Sequence, residues 1–419
     1  MTGASNLRIN ADRLVSRLKE LGRVGALPGG GVCRLALTQE DQQGRDLVVS
    51  WMRALGLEVI VDDIGNIFGR RAGRQNIEPV MIGSHIDTVA TGGLYDGCLG
   101  VLAGLEIVET LNEAGLTTDR PIVVAAFTNE EGARFAPDMM GSLVYVGGLA
   151  VEEARATQGI DGQTVGDCLE RIGYGGTRLE GAPAVHAYLE LHIEQGPVLE
   201  DEDLQIGVVE GVQGISWQEF TVRGRSSHAG TTPMRLRHDA GLAAAQIAAA
   251  VHAIVTEIGG AQVGTVGSFN LHPNLVNVVP ETARFTVDLR NTDEQLLQQA
   301  ERRLAERVIE IAARVGVSVE VRALARFEPV EFDKRLVAAV EAGANRLGMS
   351  NRRMPSGAGH DAQMLARICP AAMIFVPSVD GISHNIQELT HPADLENGAN
   401  LLLATVLETA RSGANQEKQ

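Results

Sequence analysis

Four apolar runs and one glycine-rich loop of this 419-residue sequence lead into residue types that bind metal ions. The run 78–84 leads into His85-Ile86-Asp87, 121–127 into Thr128-Asn129-Glu130-Glu131, and 184–191 into His192-Ile193-Glu194-Gln195. The run 371–376 leads through 377–383 to His384-Asn385, and a loop after the first run carries Asp96 between Gly92-Gly93 and Gly97. Imidazole nitrogens and carboxylate oxygens suit zinc first, and also manganese, cobalt or nickel. A carboxylate such as Asp96 has two oxygens and can join two ions. Two divalent ions about 3.5–4 Å apart hold a hydrolytic water and polarise a carbonyl. Glu130 and Glu131 cannot both face one site if the strand runs on through them, because successive side chains point to opposite faces. A turn there lets one bind a metal while the other faces the water. Asp87, two residues past His85, is placed to accept that ring's N–H.

The elements that must position these residues are legible as patterns. Residues 10–21 read as an amphipathic helix, 58–62 and 65–70 as a pair of short strands, and 97–111 as a helix entered through glycines. The four apolar runs read as strands buried on both faces. Strands alternating with helices predict an α/β fold with a mixed, mostly parallel sheet sandwiched by helices. In such sheets the ligand crevice lies beyond the carboxyl ends of the strands, where the five segments would converge. One histidine ending a strand is ordinarily a satisfied polar residue, and a glutamate pair is ordinarily solvated. Five such segments at the same end of a sheet favour a metal site.

Between residues 214 and 326 the texture changes. Strands at 215–223, 263–271, 277–289 and 317–321 and helices at 238–254 and 292–315 give the order β-α-β-β-α-β of a ferredoxin-like unit. The predicted organisation is therefore a catalytic domain in two parts, 1–213 and 327–419, with an α+β domain of 214–326 inserted. Along 277–289, alternation puts Phe285, Val287 and Leu289 on one face and Arg284, Thr286, Asp288 and Arg290 on the other. An arginine on that second face is solvated or paired, here with Asp288.

Composition excludes several classes. With 44% apolar and 21% charged residues the chain is globular, and a net charge of −17 repels phosphate backbones, so no nucleic-acid partner is expected. Cys33, Cys98, Cys168 and Cys369 form no CxxC pair and read as free thiols of a reducing compartment. The N-terminal residues have no apolar signal region, and the apolar stretch 240–255, with Gln246 and His252 inside it, reads as too short for a bilayer. A soluble cytoplasmic protein with no membrane partner is expected. A polar tail follows Ser412.

The segments GSHIDTVATGGLYDGCLGVLAGLE, FTNEEGARF, ELHIEQGP, SSHAGTTPM, NVVPETARFTVDLRN, SGAGHDAQ and GISHN resemble the M20 metallopeptidase clan. Within it they are similar to the hydantoinase/carbamoylase branch, which comprises N-carbamoyl-L-amino acid hydrolases, β-ureidopropionases and allantoate amidohydrolases. The resemblance spans nearly the whole chain. It implies a zinc-exopeptidase-like fold with a lid and dimerisation domain, a homodimer, and two divalent ions as cofactor. It implies His85 and His192 on one ion, Glu131 and His384 on the other, and Asp96 bridging, with Asp87 orienting a ligand. It makes Glu130 the general base and His228, often supplied by the other subunit, the stabiliser of the oxyanion. Asn277 and Arg290 would hold a substrate carboxylate, with Gln195 and Gly359 as further substrate contacts. The turn 357–359 with His360 and Asp361 after it resembles the family's substrate-binding positions; His360, open also to the reading of a helix-start residue, is given no catalytic part. The HIEQGP segment points away from dipeptidases and acylases, which commonly place an acidic ligand at the position of His192. The implied reaction cleaves the ureido group of an N-carbamoyl-L-amino acid to the amino acid, carbon dioxide and ammonia, with allantoate or N-carbamoyl-β-alanine as competing substrates. A metal-binding scaffold without activity is disfavoured by the intact Glu130 and ligand set.

Overall fold

A computed structural model of the chain describes residues 7–177 and 183–412, so the polar tail lies outside the described residues. The strands in chain order are β1 Glu58–Val61, β2 Ile67–Arg71, β3 Val80–His85, β4 Ile122–Phe127, β5 Ala187–Ile193, β6 Ile206–Val212, β7 Gly214–Arg223, β8 Ser227–His228, β9 Val263–His272, β10 Val278–Val279, β11 Thr282–Asn291, β12 Ser318–Phe327, β13 Val330–Glu331, β14 Asn351–Ser356 and β15 Ala371–Val376. The chain forms two compact units, one of them Gly211–Glu331 and the other the remainder.

The larger unit is built on a mixed sheet in the order β1-β2-β4-β3-β5-β15-β6, with β14 also paired to β6. Its centre, β4-β3-β5-β15, is parallel. The β1-β2, β2-β4 and β15-β6 ladders are antiparallel. Every residue of β3, β4, β5 and β15 is buried, which explains their continuous apolar runs: a strand covered on both faces has no solvent side to mark by alternation. Helices Cys98–Glu113 and Pro392–Thr409 pack against these strands, as do the shorter helices Met140–Tyr145 and Asp361–Leu365. Three buried leucines, Leu14, Leu18 and Leu21, seat the helix Ala11–Leu21, which Asn10 caps by accepting from the Arg13 N–H.

The smaller unit has a four-stranded antiparallel sheet in the order β12-β7-β11-β9, the ferredoxin-like order. Helices Ala240–Ile258 and Glu294–Val315 cover one face of it, closing a core around Phe220, Phe285, Val287, Leu289, Ile247 and Leu304. Its bounds run past the expected 214–326 on both sides, because Gly211 and Val212 pair with Glu331 and Val330.

Two expectations need correction here. The strand expected at 277–289 is broken: Pro280, which has no N–H to give a ladder, separates β10 from β11, and β10 pairs with β8 instead. The apolar helix starting at Ala240 continues through Thr256-Glu257-Ile258 to Gly259, whose φ of 68° ends it. Its 19 residues are, by length and composition, enough to cross a membrane, contrary to the shorter reading. In the fold its Ala240, Ala243, Ala244, Ile247, Val251 and Ile254 face the core of the smaller unit.

Candidate active site

The larger unit gathers the expected ligands at the carboxyl ends of its parallel strands. His85 is the last residue of β3 and His192 the penultimate residue of β5. Both rings turn Nδ1 to a main-chain carbonyl at 2.9 Å, that of Asp87 for His85 and that of Ile193 for His192. This leaves each Nε2 facing Asp96, whose Oδ1 lies 3.6 Å from His85 and 3.2 Å from His192. The other carboxylate oxygen, Oδ2, is 3.5 Å from His384 Nε2, which is itself 3.3 Å from Glu131 Oε2. His85, Asp96 and His192 thus form one group able to hold a cation, and Asp96, Glu131 and His384 a second, with Asp96 common to both. The two halves differ in exposure: the first is fully buried, while the His384 side chain of the second is 51% exposed.

Glu130 Oε2 sits 3.3 Å from His85 Nε2. Both glutamates reach the site because the chain leaves strand geometry at Asn129, which adopts φ 56°, and turns again at Gly132, φ 63°. Asn129 fastens the turn by donating its Nδ2 to the carbonyls of Phe135 at 2.8 Å and Pro137 at 3.2 Å. Asn66 holds its base, accepting the Thr128 N–H at 2.9 Å and donating to the Gly141 carbonyl at 3.0 Å.

Asp87 differs from expectation. Its main-chain oxygen, and not its carboxylate, takes the His85 ring N–H; carboxylate Oδ1 is 4.0 Å from that nitrogen. The carboxylate is instead turned to the backbone N–H groups of Glu130 and Glu131, at 3.3 and 3.4 Å. Spacing alone could not separate these outcomes, because both place an acceptor of residue 87 near residue 85.

Gln195, at φ 58°, donates its Nε2 to Asp96 Oδ2 at 2.8 Å, while its buried Oε1 has no hydrogen-bond partner among the described residues. Gly359 lies in the turn before the helix Asp361–Leu365, with the Met139 side chain packed over it so that a Cβ there would meet Met139 Cε at 2.9 Å. His360 does start that helix and is also buried edge-on to His192, ring centroids 4.6 Å apart, with Nε2 2.8 Å from Ser356 Oγ.

The electrostatics fit a cation. Burial, then the charges of Asp361, Glu131 and Asp96, pushes the Glu130 carboxyl well above the usual range, and burial with Asp96 and Asp87 does the same to Glu131. Burial lowers His85 to about 4. Burial also opposes protonation of His192, but its hydrogen bond and charge interaction with Asp96 win and raise it to about 9. So many buried acids disfavour one another's anionic forms. A divalent ion among them reverses that sign, and the oxygen and imidazole donor set is one such an ion accepts.

The smaller unit carries the remaining residues. His228 lies on β8, and its Nδ1 accepts the N–H groups of Gly230 at 3.0 Å and Thr231 at 3.3 Å. The ring proton is therefore on Nε2, which makes His228 a hydrogen-bond donor outward. Asn277 adjoins it: its carbonyl accepts the Ala229 N–H at 2.9 Å, beside the β8–β10 ladder. Arg290 stands apart from these two, on β11, where Asp288 grips it through Nε at 3.0 and 3.1 Å and Nη2 at 2.8 Å and Trp217 lies 5.8 Å beneath the guanidinium.

Residues 81–408 match the model of peptidase family M20/M25/M40, and the chain belongs to that family. The N-carbamoyl-L-amino-acid amidohydrolase of Rhizobium meliloti is 46% identical over 406 residues, 97% of this chain and 98% of that protein. The ureidoglycolate hydrolase of Arabidopsis thaliana is 35% identical, covering 96% of this chain and 87% of its own. Among solved structures, a hydantoinase/carbamoylase family amidase from Burkholderia multivorans superposes with a TM-score of 0.95 at 45% identity, over 97% of this chain and 99% of that one.

Proposed function

We propose that this chain is a two-metal amidohydrolase that cleaves the ureido group of N-carbamoyl-L-amino acids, giving the amino acid, carbon dioxide and ammonia. The observation that carries the proposal is Asp96, shared by two ligand groups with Glu130 beside them. His85 and His192 would hold one ion and Glu131 and His384 the other, with zinc the first choice and manganese, cobalt or nickel accepted by the same donors. The ions, when bound, supply an activated water and polarise the carbonyl. Glu130 takes the proton of the attacking water and returns it to the leaving nitrogen. A carboxyl whose surroundings raise its affinity for a proton suits both halves of that task. The Nε2–H of His228 donates to the developing oxyanion. Arg290, oriented by Asp288, takes the substrate carboxylate, and Asn277, which stands apart from it within one chain, would reach that carboxylate from the other subunit of the dimer, while Gln195 and Gly359 line the site.

The smaller unit would act as a lid that excludes water, and as the surface of a homodimer. Its edge strand β9, VGTVGSFNLH, is largely exposed and carries no Lys, Arg, Asp or Glu, although exposed edges ordinarily carry charge to prevent pairing. Pairing of two such edges accounts for that composition. Four free cysteines fit a cytosolic location.

Glu130→Gln tests the base. It should keep its metals and lose about 10²–10⁴ in turnover on N-carbamoyl-L-amino acids. Near-normal turnover in that variant would remove the assignment. Because a relative named for ureidoglycolate shares the architecture, the substrate panel includes ureidoglycolate, allantoate and N-carbamoyl-β-alanine. A clear preference for one of these would reassign the substrate while leaving the chemistry in place.

A further inference from the structure

Glu388 has no place in the reaction described so far, yet it lies between the two ligand loops most distant in the chain. It is 5% exposed. Its Oε1 accepts the backbone N–H groups of Tyr95 at 3.1 Å and Asp96 at 3.2 Å. Its Oε2 faces the Ser383 hydroxyl at 3.3 Å, and that hydroxyl is 3.0 Å from Asp96 Oδ2. On its own loop the Glu388 N–H donates to the Asn385 carbonyl at 3.0 Å, and the Gln387 N–H to Asn385 Oδ1 at 2.9 Å. The carboxyl group thus joins the backbone that presents Asp96 to the loop that presents His384. Gly93 shows how tightly the side chain is seated: a Cβ there would fall 2.0 Å from Glu388 Oε1 and 2.5 Å from its Cβ.

Glu388 is not itself one of the grouped metal ligands among the described residues. Its Oε1 is engaged by two backbone donors. We infer that Glu388 is a positioning residue that sets the distance between Asp96 and His384, and so governs how well the exposed half of the site holds its cation. The inner half depends on it less, because His85 and His192 are fixed by the ends of β3 and β5 and by their own main-chain acceptors. His384 has no strand beneath it. It sits in a loop at φ 54°, whose other ties to the Asp96 side include the Ser383 hydroxyl on Asp96 Oδ2 at 3.0 Å and a long contact of the His384 carbonyl with Thr91 Oγ1, 3.4 Å.

The inference rests on the two-ion reading, and the experiment separates the two. The full-length chain is dialysed against graded manganese(II), and bound ion is counted for wild type, Glu388→Ala, Glu388→Gln and Gly93→Ala. Wild type alone reports on the reading: saturation at one ion would refute the paired site, and the variants would then still show whether Glu388 affects that ion. Glu388→Ala should weaken the second, looser ion about ten- to hundredfold and leave the tighter one unchanged. Glu388→Gln keeps an oxygen for the two backbone donors and should bind close to wild type. Gly93→Ala should reproduce the alanine phenotype by displacing the carboxylate. Unchanged binding of both ions in Glu388→Ala would overturn the inference. So would equal weakening of both ions with a lowered unfolding temperature of the metal-free chain, since that is the signature of a merely structural residue.

Discussion

Replacing Gly97 by alanine isolates the geometry of the inner ligand pair. Gly97 precedes the helix Cys98–Glu113 with φ 63° and ψ −47°, close to the strained γ-turn conformation, which costs an L-residue on the order of 1–3 kcal/mol. A Cβ at this position would lie 2.3, 2.4 and 2.5 Å from Nε2, Cε1 and Cδ2 of His85. Ordinary contact begins near 3.4 Å, so the ring would have to retreat by about 1 Å, the difference between that distance and 2.4 Å. It cannot retreat freely, because its Nδ1 is tied to the Asp87 carbonyl at 2.9 Å. A misplacement of about 1 Å in a catalytic constellation costs on the order of a hundredfold in rate. Gly115→Ala is the control: Gly115 has φ 60°, and a Cβ there meets nothing within 4 Å. Both variants should lose stability in thermal unfolding. Only Gly97→Ala should lose the tighter metal ion by elemental analysis and about a hundredfold in kcat. If Gly97→Ala keeps the metal content and kcat of Gly115→Ala, this glycine is not there to admit the His85 ring.

Metal loading should release protons. At pH 7 the metal-free site holds a proton on His192, raised to about 9 because Asp96 outweighs burial, and burial also pushes Glu130 and Glu131 well above the usual carboxylate range. His85, lowered to about 4 by burial, has none to give. Affinity for divalent ions should therefore climb as pH rises from 7 to 9, about tenfold per unit for each proton displaced. Titration calorimetry in two buffers of different ionisation heat should give different apparent heats, and identical heats would contradict the assignment. Asn66→Ala should leave the Thr128 N–H, the Gly141 carbonyl and one Asp62 oxygen without their buried partner, destabilising the fold by roughly 2–4 kcal/mol. A urea midpoint equal to wild type would show that these contacts carry no weight.

Much of this arrangement was readable from residue order. Burial on both faces forces a run such as Pro121–Phe127 to be continuously apolar, and a parallel sheet forces the residues just past such runs to one edge. Those two constraints are enough to assemble His85, Glu130, Glu131, His192 and His384 on paper. Other elements left weaker traces. β6 contains Gly207, Gly211 and exposed Glu210, and β14, NRRMPS, is polar with a proline, so neither reads as a strand until its neighbour is known. The helix Gln39–Ala54 begins QEDQQGRD, and its apolar face emerges only in its second half. The role of Asp87 turns on which of its oxygens a loop presents. That follows from the left-handed Asn129, not from residue type. Glu388, four residues after His384, was visible in GISHNIQE, but nothing local distinguishes a carboxylate that binds metal from one that holds a neighbouring loop. Pro280 was the available sign that 277–289 could not be one strand.

The position of β15 has a consequence for how the protein is made. This strand lies inside the sheet, between β5 and β6, yet it is translated after the whole of Gly211–Glu331. While the ribosome is still extending the chain, β5 and β6 are present without the strand that separates them, and His384 does not exist. The smaller unit, contiguous in sequence, can complete its own core during that interval. The larger one has to keep an interior slot open for a late arrival, with buried edges exposed to wrong pairing. The half of the site that needs His384 is thereby completed only when β15 docks and the loop behind it delivers that residue, whereas His85, Asp96 and His192 are made long before.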